Sequence, residues 1–176
     1  MTFEQVTPGS AADRASVEEL DWNAVYASHL PRVYNYFRFR LGSNVDVQDL
    51  TARTFEKAWR ERDRYRRDHA GFATWLFRIA HNVGVDYLRT RRKHVPLDAV
   101  ADPAAEDSPE TSAERASDLA RLAALTARMS DRDRELIALK YGAGASNRLI
   151  ARLTGLSEAN VGTILHRAVE TLRAKW

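Results

Sequence analysis

The sequence predicts an all-α protein made of two small helical domains that a flexible acidic linker joins. Three observations lead to this prediction. Apolar residues recur at intervals of three and four along nearly every hydrophobic segment, and no segment alternates as a strand would. Basic and acidic residues fall into alternating blocks. A polar stretch with three prolines separates the two basic blocks.

The charge blocks suggest two surfaces that face a polyanion. Residues 21–95 carry 15 Lys or Arg against 8 Asp or Glu, and residues 119–176 carry 10 against 5. Residues 1–20 carry one Arg against four acids, and residues 96–118 carry one against seven. Such blocks favour nucleic-acid partners, although a simply solvated basic surface is an equal alternative from charge alone.

Composition excludes several classes of protein. The chain has no cysteine, which excludes disulfides, thiolate zinc sites and a cysteine nucleophile. No apolar run approaches the roughly 18 residues of a membrane span, and the N-terminus lacks the apolar stretch of a signal peptide. We therefore expect a cytoplasmic protein with no membrane partner.

The first domain, residues 21–95, begins with two amphipathic helices. The first starts at Trp22 and ends near Gly42, with an apolar set at helical spacing: Trp22, Val25, Tyr26, Val33, Tyr36, Phe37 and Leu41. Asp46, with Asp49 three residues on, is expected to cap the second helix, whose apolar side includes Leu50, Phe55, Ala58 and Trp59.

A long third helix opens at Phe72 and carries two stripes. The predicted core stripe is Phe72, Leu76, Ile79, Ala80, Val83 and Tyr87. Opposite it we place a polar stripe of Trp75, Arg78, Asn82 and Arg89. An aromatic ring, guanidinium groups and an amide suit single-stranded nucleic acid, since they stack on bases, hold phosphate and read a base edge. The alternative is that Trp75 belongs to the core and the arginines are solvated.

The loop before this helix has the composition to hold an unstacked nucleotide, because Tyr65, Arg66 and Arg67 combine a ring with cations. Residues 1–20 are predicted to be a disordered extension. Residues 96–118 read as a solvated linker that its own like charges extend.

The second domain, residues 119–176, ends in a predicted helix-turn-helix. A short helix over 147–153 is followed by a turn and a longer helix. Ala151, Gly155 and Val161 supply the small residue, the positive-φ residue and the buried anchor that this motif needs. Ser157 is placed to cap the second helix, and its predicted buried stripe is Val161, Leu165, Ala168 and Leu172.

The outward side chains at the start of the second helix form a reading face toward duplex DNA: Glu158, Ala159, Gly162, Thr163 and His166. This face is weakly basic. Phosphate contacts are therefore expected from four arginines: Arg148, Arg152, Arg167 and Arg173.

The segment from Asp49 to Arg92, with TWLFRIAHNVGVDYLR over residues 74–89, resembles region two of the extracytoplasmic-function sigma factors of bacterial RNA polymerase. Residues 119–176 resemble region four of the same family. The resemblance implies promoter-specific initiation with core polymerase (the clamp helices of its largest subunit and its β flap), promoter DNA and an anti-sigma factor as partners, and no cofactor.

The resemblance also implies roles for individual residues. Core polymerase would dock on the second helix through Asp49, Leu50, Arg53, Phe55 and Trp59. The minus-ten element would be melted and read by Tyr65, Arg66, Arg67 and the polar stripe, with Asn82 as the base-reading amide. The minus-thirty-five element would be bound by Arg148, Arg167 and the reading face.

The chain departs from the family pattern at three places. Ala52-Arg53 stands where the family usually has Gln-Glu, Arg148-Leu149 where acidic residues are usual, and Gly162 and Ile164 where a basic residue and an arginine are usual. A conventional helix-turn-helix regulator that acts without polymerase is the alternative function. An enzyme is disfavoured, because His29, His81 and His166 show no paired metal spacing and no nucleophile–base set is visible.

Overall fold

The computed structural model describes residues 21–42, 44–65, 71–94, 121–122 and 124–176. Every regular element within these ranges is helical, so the predicted all-α class is confirmed. The predicted extension over residues 1–20 and the predicted linker over 96–118 lie outside the described residues.

The first module comprises three helices and one 3₁₀ turn. Helix α1 spans Trp22–Leu41, α2 spans Asn44–Arg60, the turn covers Arg62–Arg64, and α3 spans Phe72–His94. Asp21 caps α1 by accepting hydrogen bonds from the backbone N–H groups of Asn23 and Ala24 at 3.0 and 3.2 Å. Gly42, at φ 73°, closes the same helix in the left-handed conformation.

The second module contains the helix-turn-helix. Residues 121–122 and 124–127 are helical. They are followed by α4 (Asp131–Ile137), a π-helical turn (Ala138–Gly142), α5 (Asn147–Thr154) and α6 (Glu158–Lys175). Arg134 donates to the carbonyl oxygens of Thr126, Ala127 and Met129. These bonds satisfy acceptors at the C-terminal end of the helical segment 124–127.

The two modules share one buried core. Helix α1 packs along the π-helical turn and α4, and α5 packs on α3. The backbones come close together at Gly142, where an added Cβ would lie 2.7 Å from the carbonyl oxygen of Asn35. Glycine is therefore required there by the proximity of α1, and any larger residue would push the modules apart.

Helix α3 is buried on more than its predicted core stripe. Leu76, Ile79 and Ala80 are buried as predicted, but Trp75 and Phe77 are buried as well. Phe77 faces α1, where it meets the ring of Tyr36 edge-on and the guanidinium of Arg32. Helical periodicity predicted one buried face, whereas the packing of α3 against several neighbours buries two.

The expected role of Asp46 is wrong in detail. Helix α2 begins at Asn44, so Asp46 lies within its first turn rather than at its cap. The Asp46 carboxylate accepts a hydrogen bond from the Tyr87 hydroxyl at 2.6 Å. Partial burial and this bond raise the pKa of Tyr87 to about 12. The pair ties α2 to α3.

Candidate nucleic-acid and partner interface

Three members of the polar stripe on α3 reach solvent. Arg78, Asn82 and Arg89 are exposed, and Arg89 is held by an ion pair with Asp86 at 3.1 Å. Two cations therefore flank an amide along one side of the helix. Such a surface can bind phosphates at both ends and offer a hydrogen-bonding group to a base between them.

Trp75 does not belong to this exposed surface. Its side chain is 6% exposed, and its ring lies 5.3 Å from that of Tyr65 and 5.5 Å from that of Phe72. The expectation that Trp75 faces away from the core is wrong, because Tyr65 folds back over it from the preceding loop. Tyr65 itself is buried. Arg66 and Arg67 lie outside the described residues.

The aromatic cluster of Tyr65, Phe72 and Trp75 has a positioning role. It fixes the point where the loop enters α3, and Phe72 also meets Trp22 and His29 edge-on at 5.9 and 5.3 Å. The N-terminal end of the polar stripe therefore lies on a packed layer of aromatic rings. Burial lowers the pKa of His29 within this layer.

Helix α2 offers a different surface from the one its sequence pattern predicted. Leu50 and Phe55 are buried, so neither is available to a partner as the free chain stands. Asp49 and Arg53 are exposed and paired at 3.6 Å, and Glu56 and Arg60 form a second ion pair one turn on. Glu56 was not predicted to contribute, although its spacing of three from Arg53 placed it on the same face.

Trp59 is the one predicted docking residue of α2 that is both apolar and open to solvent. It is 49% exposed, it meets Trp22 edge-on at 5.2 Å, and the Arg62 guanidinium lies 4.3 Å from its ring centroid. Tyr26, 47% exposed, meets Phe55 edge-on with ring centroids 4.7 Å apart. An aromatic patch therefore borders the charged face of α2.

The helix-turn-helix has the predicted geometry. Gly155 takes φ 72°, Ser157 accepts a hydrogen bond from the backbone N–H of Asn160 at 3.2 Å, and Val161 is fully buried. Leu165 and Ala168 are buried as predicted, and Ile164 joins them. Ile164 is thus a core residue, which explains why an arginine would not fit at that position.

The reading face on α6 is largely exposed. Glu158, Ala159, Thr163 and His166 are exposed and Gly162 is half-buried. Arg148 on α5 lies 3.9 Å from the Glu158 carboxylate, so this arginine partly neutralises the acid on the reading face. Arg167 is exposed beside it, as are Arg152 and Arg173.

A buried polar cluster that the sequence did not predict lies between the modules. Glu135 on α4 is 6% exposed, and one carboxylate oxygen accepts from the Tyr36 hydroxyl at 2.7 Å and meets His81 Nδ1 at 2.8 Å. Its other oxygen pairs with buried Arg40. We call Glu135, Tyr36, Arg40 and His81 the Glu135 cluster.

Electrostatics favour an ionised Glu135. Burial alone would raise its pKa, but the hydrogen bond from His81 and the charge of Arg40 outweigh burial, so the pKa lies below its usual value. Burial and the neighbouring carboxylate raise the pKa of Tyr36 well above normal, which keeps the hydroxyl protonated as a donor. A charged residue followed directly by apolar Leu136 and Ile137 was the signal in the sequence.

Two absences apply to the part of the chain that the structure describes. No three His, Cys, Asp or Glu side chains are placed there to hold a metal ion together. None of its helices combines the length and apolar character that crossing a membrane requires.

Comparisons with known proteins match both modules. Residues 25–94 match the family model of sigma-70 region 2, and residues 119–172 match that of sigma-70 region 4. The chain is 30% identical over 127 residues to the ECF RNA polymerase sigma factor RpoE of Cereibacter sphaeroides, covering 72% of this chain and 68% of that protein.

Two further likenesses span more of the chain. It is 29% identical over 164 residues to the ECF RNA polymerase sigma factor BldN of Streptomyces coelicolor, covering 91% of this chain but only 62% of the length of BldN. Among solved structures, that of CnrH in complex with the cytosolic domain of CnrY is similar, with a TM-score of 0.62 and 27% identity over 93% of this chain and 94% of that one.

Proposed function

Because this chain belongs to the extracytoplasmic-function sigma factors of bacterial RNA polymerase, we propose that it binds core polymerase and directs promoter-specific initiation. The observation that carries the proposal is that both modules match sigma regions, in the family's order. Polymerase supplies the chemistry of transcription, so the chain needs only binding surfaces.

The first module is assigned to the minus-ten element. Arg78, Asn82 and Arg89 form an exposed line on α3, in which the amide lies between two cations. Contacts to splayed bases and their phosphates would offset the free energy of unstacking. Trp75 supports this surface from beneath, since its side chain is 6% exposed.

The second module is assigned to the minus-thirty-five element in duplex form. The exposed start of α6 suits the major groove, where N-terminal residues of a recognition helix meet base edges. With Glu158 partly neutralised by Arg148 and no arginine on the reading face, much of the affinity must come from phosphate contacts.

Core polymerase is assigned to the outer face of α2. The exposed residues there include Asp49, Ala52, Arg53, Glu56, Trp59 and Arg60. Leu50 and Phe55 act through the shape of the helix rather than by direct contact, since both are buried. An anti-sigma factor is a further expected partner, and the likeness to CnrH, solved with a second polypeptide, supports a protein regulator.

Transcription in vitro tests the proposal. Core polymerase with this protein should give transcripts with defined start sites from genomic templates, and core polymerase alone should not. Asn82→Ala should reduce the yield at least tenfold while leaving binding to core polymerase unchanged, because Asn82 faces DNA. Asn23→Ala, which removes an exposed amide at the start of α1, is the matched control and should leave the yield unchanged.

One outcome would contradict the sigma function. If core polymerase initiates no better with the protein than without it, while the protein alone binds a duplex site tightly, the chain is a conventional regulator.

A further inference from the structure

The contact between the modules has consequences for promoter binding. The described residues form one body in which α1 and α3 pack on α4, α5 and the π-helical turn. A compact body of this size is about 35 Å across. The minus-ten and minus-thirty-five elements lie about 25 base pairs apart, or about 85 Å along the DNA. One closed molecule cannot place both modules on one promoter.

We propose that the Glu135 cluster is a latch that holds the two modules closed, and that it must open before both promoter elements are bound. The inference that the latch must open for promoter binding rests on the proposed function. That the cluster holds the modules closed concerns the chain alone and is testable without polymerase.

The partners of Glu135 explain why the cluster can act as a latch. Its three polar contacts, to Tyr36, Arg40 and His81, all reach across from the first module. When the modules separate, water takes the place of these partners. A buried ion pair loses hydration when it forms and regains hydration when it breaks. Its net contribution to the free energy of closure is therefore small, but the pair is stable only when its groups are well aligned.

Other contacts between the two modules also hold them closed. Next to the cluster, the Arg32 guanidinium donates to the carbonyl oxygen of Ala143 at 2.8 Å, just after the π-helical turn. Gly142 brings that turn against the backbone of Asn35. Polar and close-packed contacts therefore meet at one interface, and π-helical turns are frequent at functional sites.

The latch and the exposed stripe of Arg78, Asn82 and Arg89 share helix α3. His81 immediately precedes Asn82 on α3, and α5 of the helix-turn-helix packs on the same helix. The DNA-facing residues Arg78, Asn82 and Arg89 remain exposed in the closed form. The closed form therefore limits the span between the two DNA surfaces rather than covering either of them.

Fluorescence energy transfer between the modules tests the latch. Because the chain has no cysteine, Ala27→Cys on α1 and Ala174→Cys on α6, both exposed, can carry a dye pair in the full chain. The otherwise unchanged protein should show mainly high transfer. Glu135→Gln, which removes the buried carboxylate that pairs with Arg40, should raise the open-to-closed ratio at least tenfold.

Two independent variants keep the test decisive. Gly142→Ala changes no charge but places a methyl group against Asn35, and it should open the molecule as Glu135→Gln does. Tyr36→Phe removes one donor to Glu135 and should open it less. Glu170→Gln, which removes an exposed carboxylate on α6, is the matched control and should keep high transfer. Far-UV circular dichroism is the check that each variant is folded.

Each outcome decides the question. Low transfer in the unchanged protein, or wild-type transfer in folded Glu135→Gln and Gly142→Ala, overturns the latch. Adding core polymerase should lower the transfer of the unchanged protein. If the variants open but core polymerase neither lowers the transfer nor yields transcripts, the latch stands and the proposed function fails.

Discussion

At the scale of single residues, burial separates side chains that are open to solvent from those that only support them. Arg78 and Asn82 project into solvent, whereas Trp75, three residues before Arg78, lies under Tyr65 and Phe72. Spacing along a helix did not distinguish them, because Trp75 lies at the boundary between two faces and a loop residue decides its environment.

This distinction predicts different effects of two substitutions. Trp75→Ala should lower the free energy of unfolding by about 3–5 kcal/mol, since it removes a large buried ring. Arg78→Ala should change it by less than about 0.5 kcal/mol, since the residue is exposed. Urea denaturation followed by circular dichroism measures both. Equal stability of the two variants would show that Trp75 is not a core residue.

At the scale of elements, the two faces of α2 have different roles. Its inner face, with Leu50, Thr54 and Ala58, is fully buried, and its outer face carries the ion pairs of Asp49 with Arg53 and Glu56 with Arg60. The inner face determines where the helix sits, so the outer face is free to vary with its partner. Arg53 is the position at which the family resemblance led us to expect an acid.

Reversing this charge should therefore strengthen docking. Arg53→Glu is expected to tighten binding to core polymerase by up to about fivefold, the range of an exposed ion pair. Competition with a labelled copy of the unchanged chain for core polymerase measures the effect. Arg53→Ala separates the loss of the arginine from the gain of the acid, and it should fall between the two. Weaker binding of Arg53→Glu would contradict the assignment of this face to polymerase.

At the scale of the whole molecule, we expect closure to depend on pH through the buried Glu135. The groups that face it are Tyr36 and Arg40 from α1 and His81 from α3, with Asp131 and Arg134 on its own helix close to Arg40. Its pKa is lowered in the closed form, so ionised Glu135 stabilises closure above the ordinary value of 4.5. That contribution is lost as the pH falls through the lowered pKa.

The energy-transfer pair should report this directly. High transfer should persist at pH 7 and decline as the pH falls below 4.5, whereas Glu135→Gln should lack this component of the decline. The exposed-site control Glu170→Gln should titrate as the unchanged protein does. The same decline in Glu135→Gln would assign the pH dependence to other carboxylates.

Local patterns were sufficient for the helices and the helix-turn-helix. The predicted start of α1 at Trp22, its end at Gly42 and the turn at Gly155 depend on caps and on φ, which neighbouring residues determine. The family resemblance was likewise visible in residues 49–92 and 119–176, and the comparisons confirm it.

Only the tertiary structure decided how the modules meet. That Glu135 finds Arg40 and His81, and that Gly142 touches Asn35, depends on segments 54 to 107 residues apart along the chain. No local period encodes such contacts, because a helix specifies its own faces but not which neighbour covers them. The sequence by itself determined two helical modules that resemble sigma regions two and four. Packing between those modules decided which side chains are exposed and which residues hold the two modules in contact.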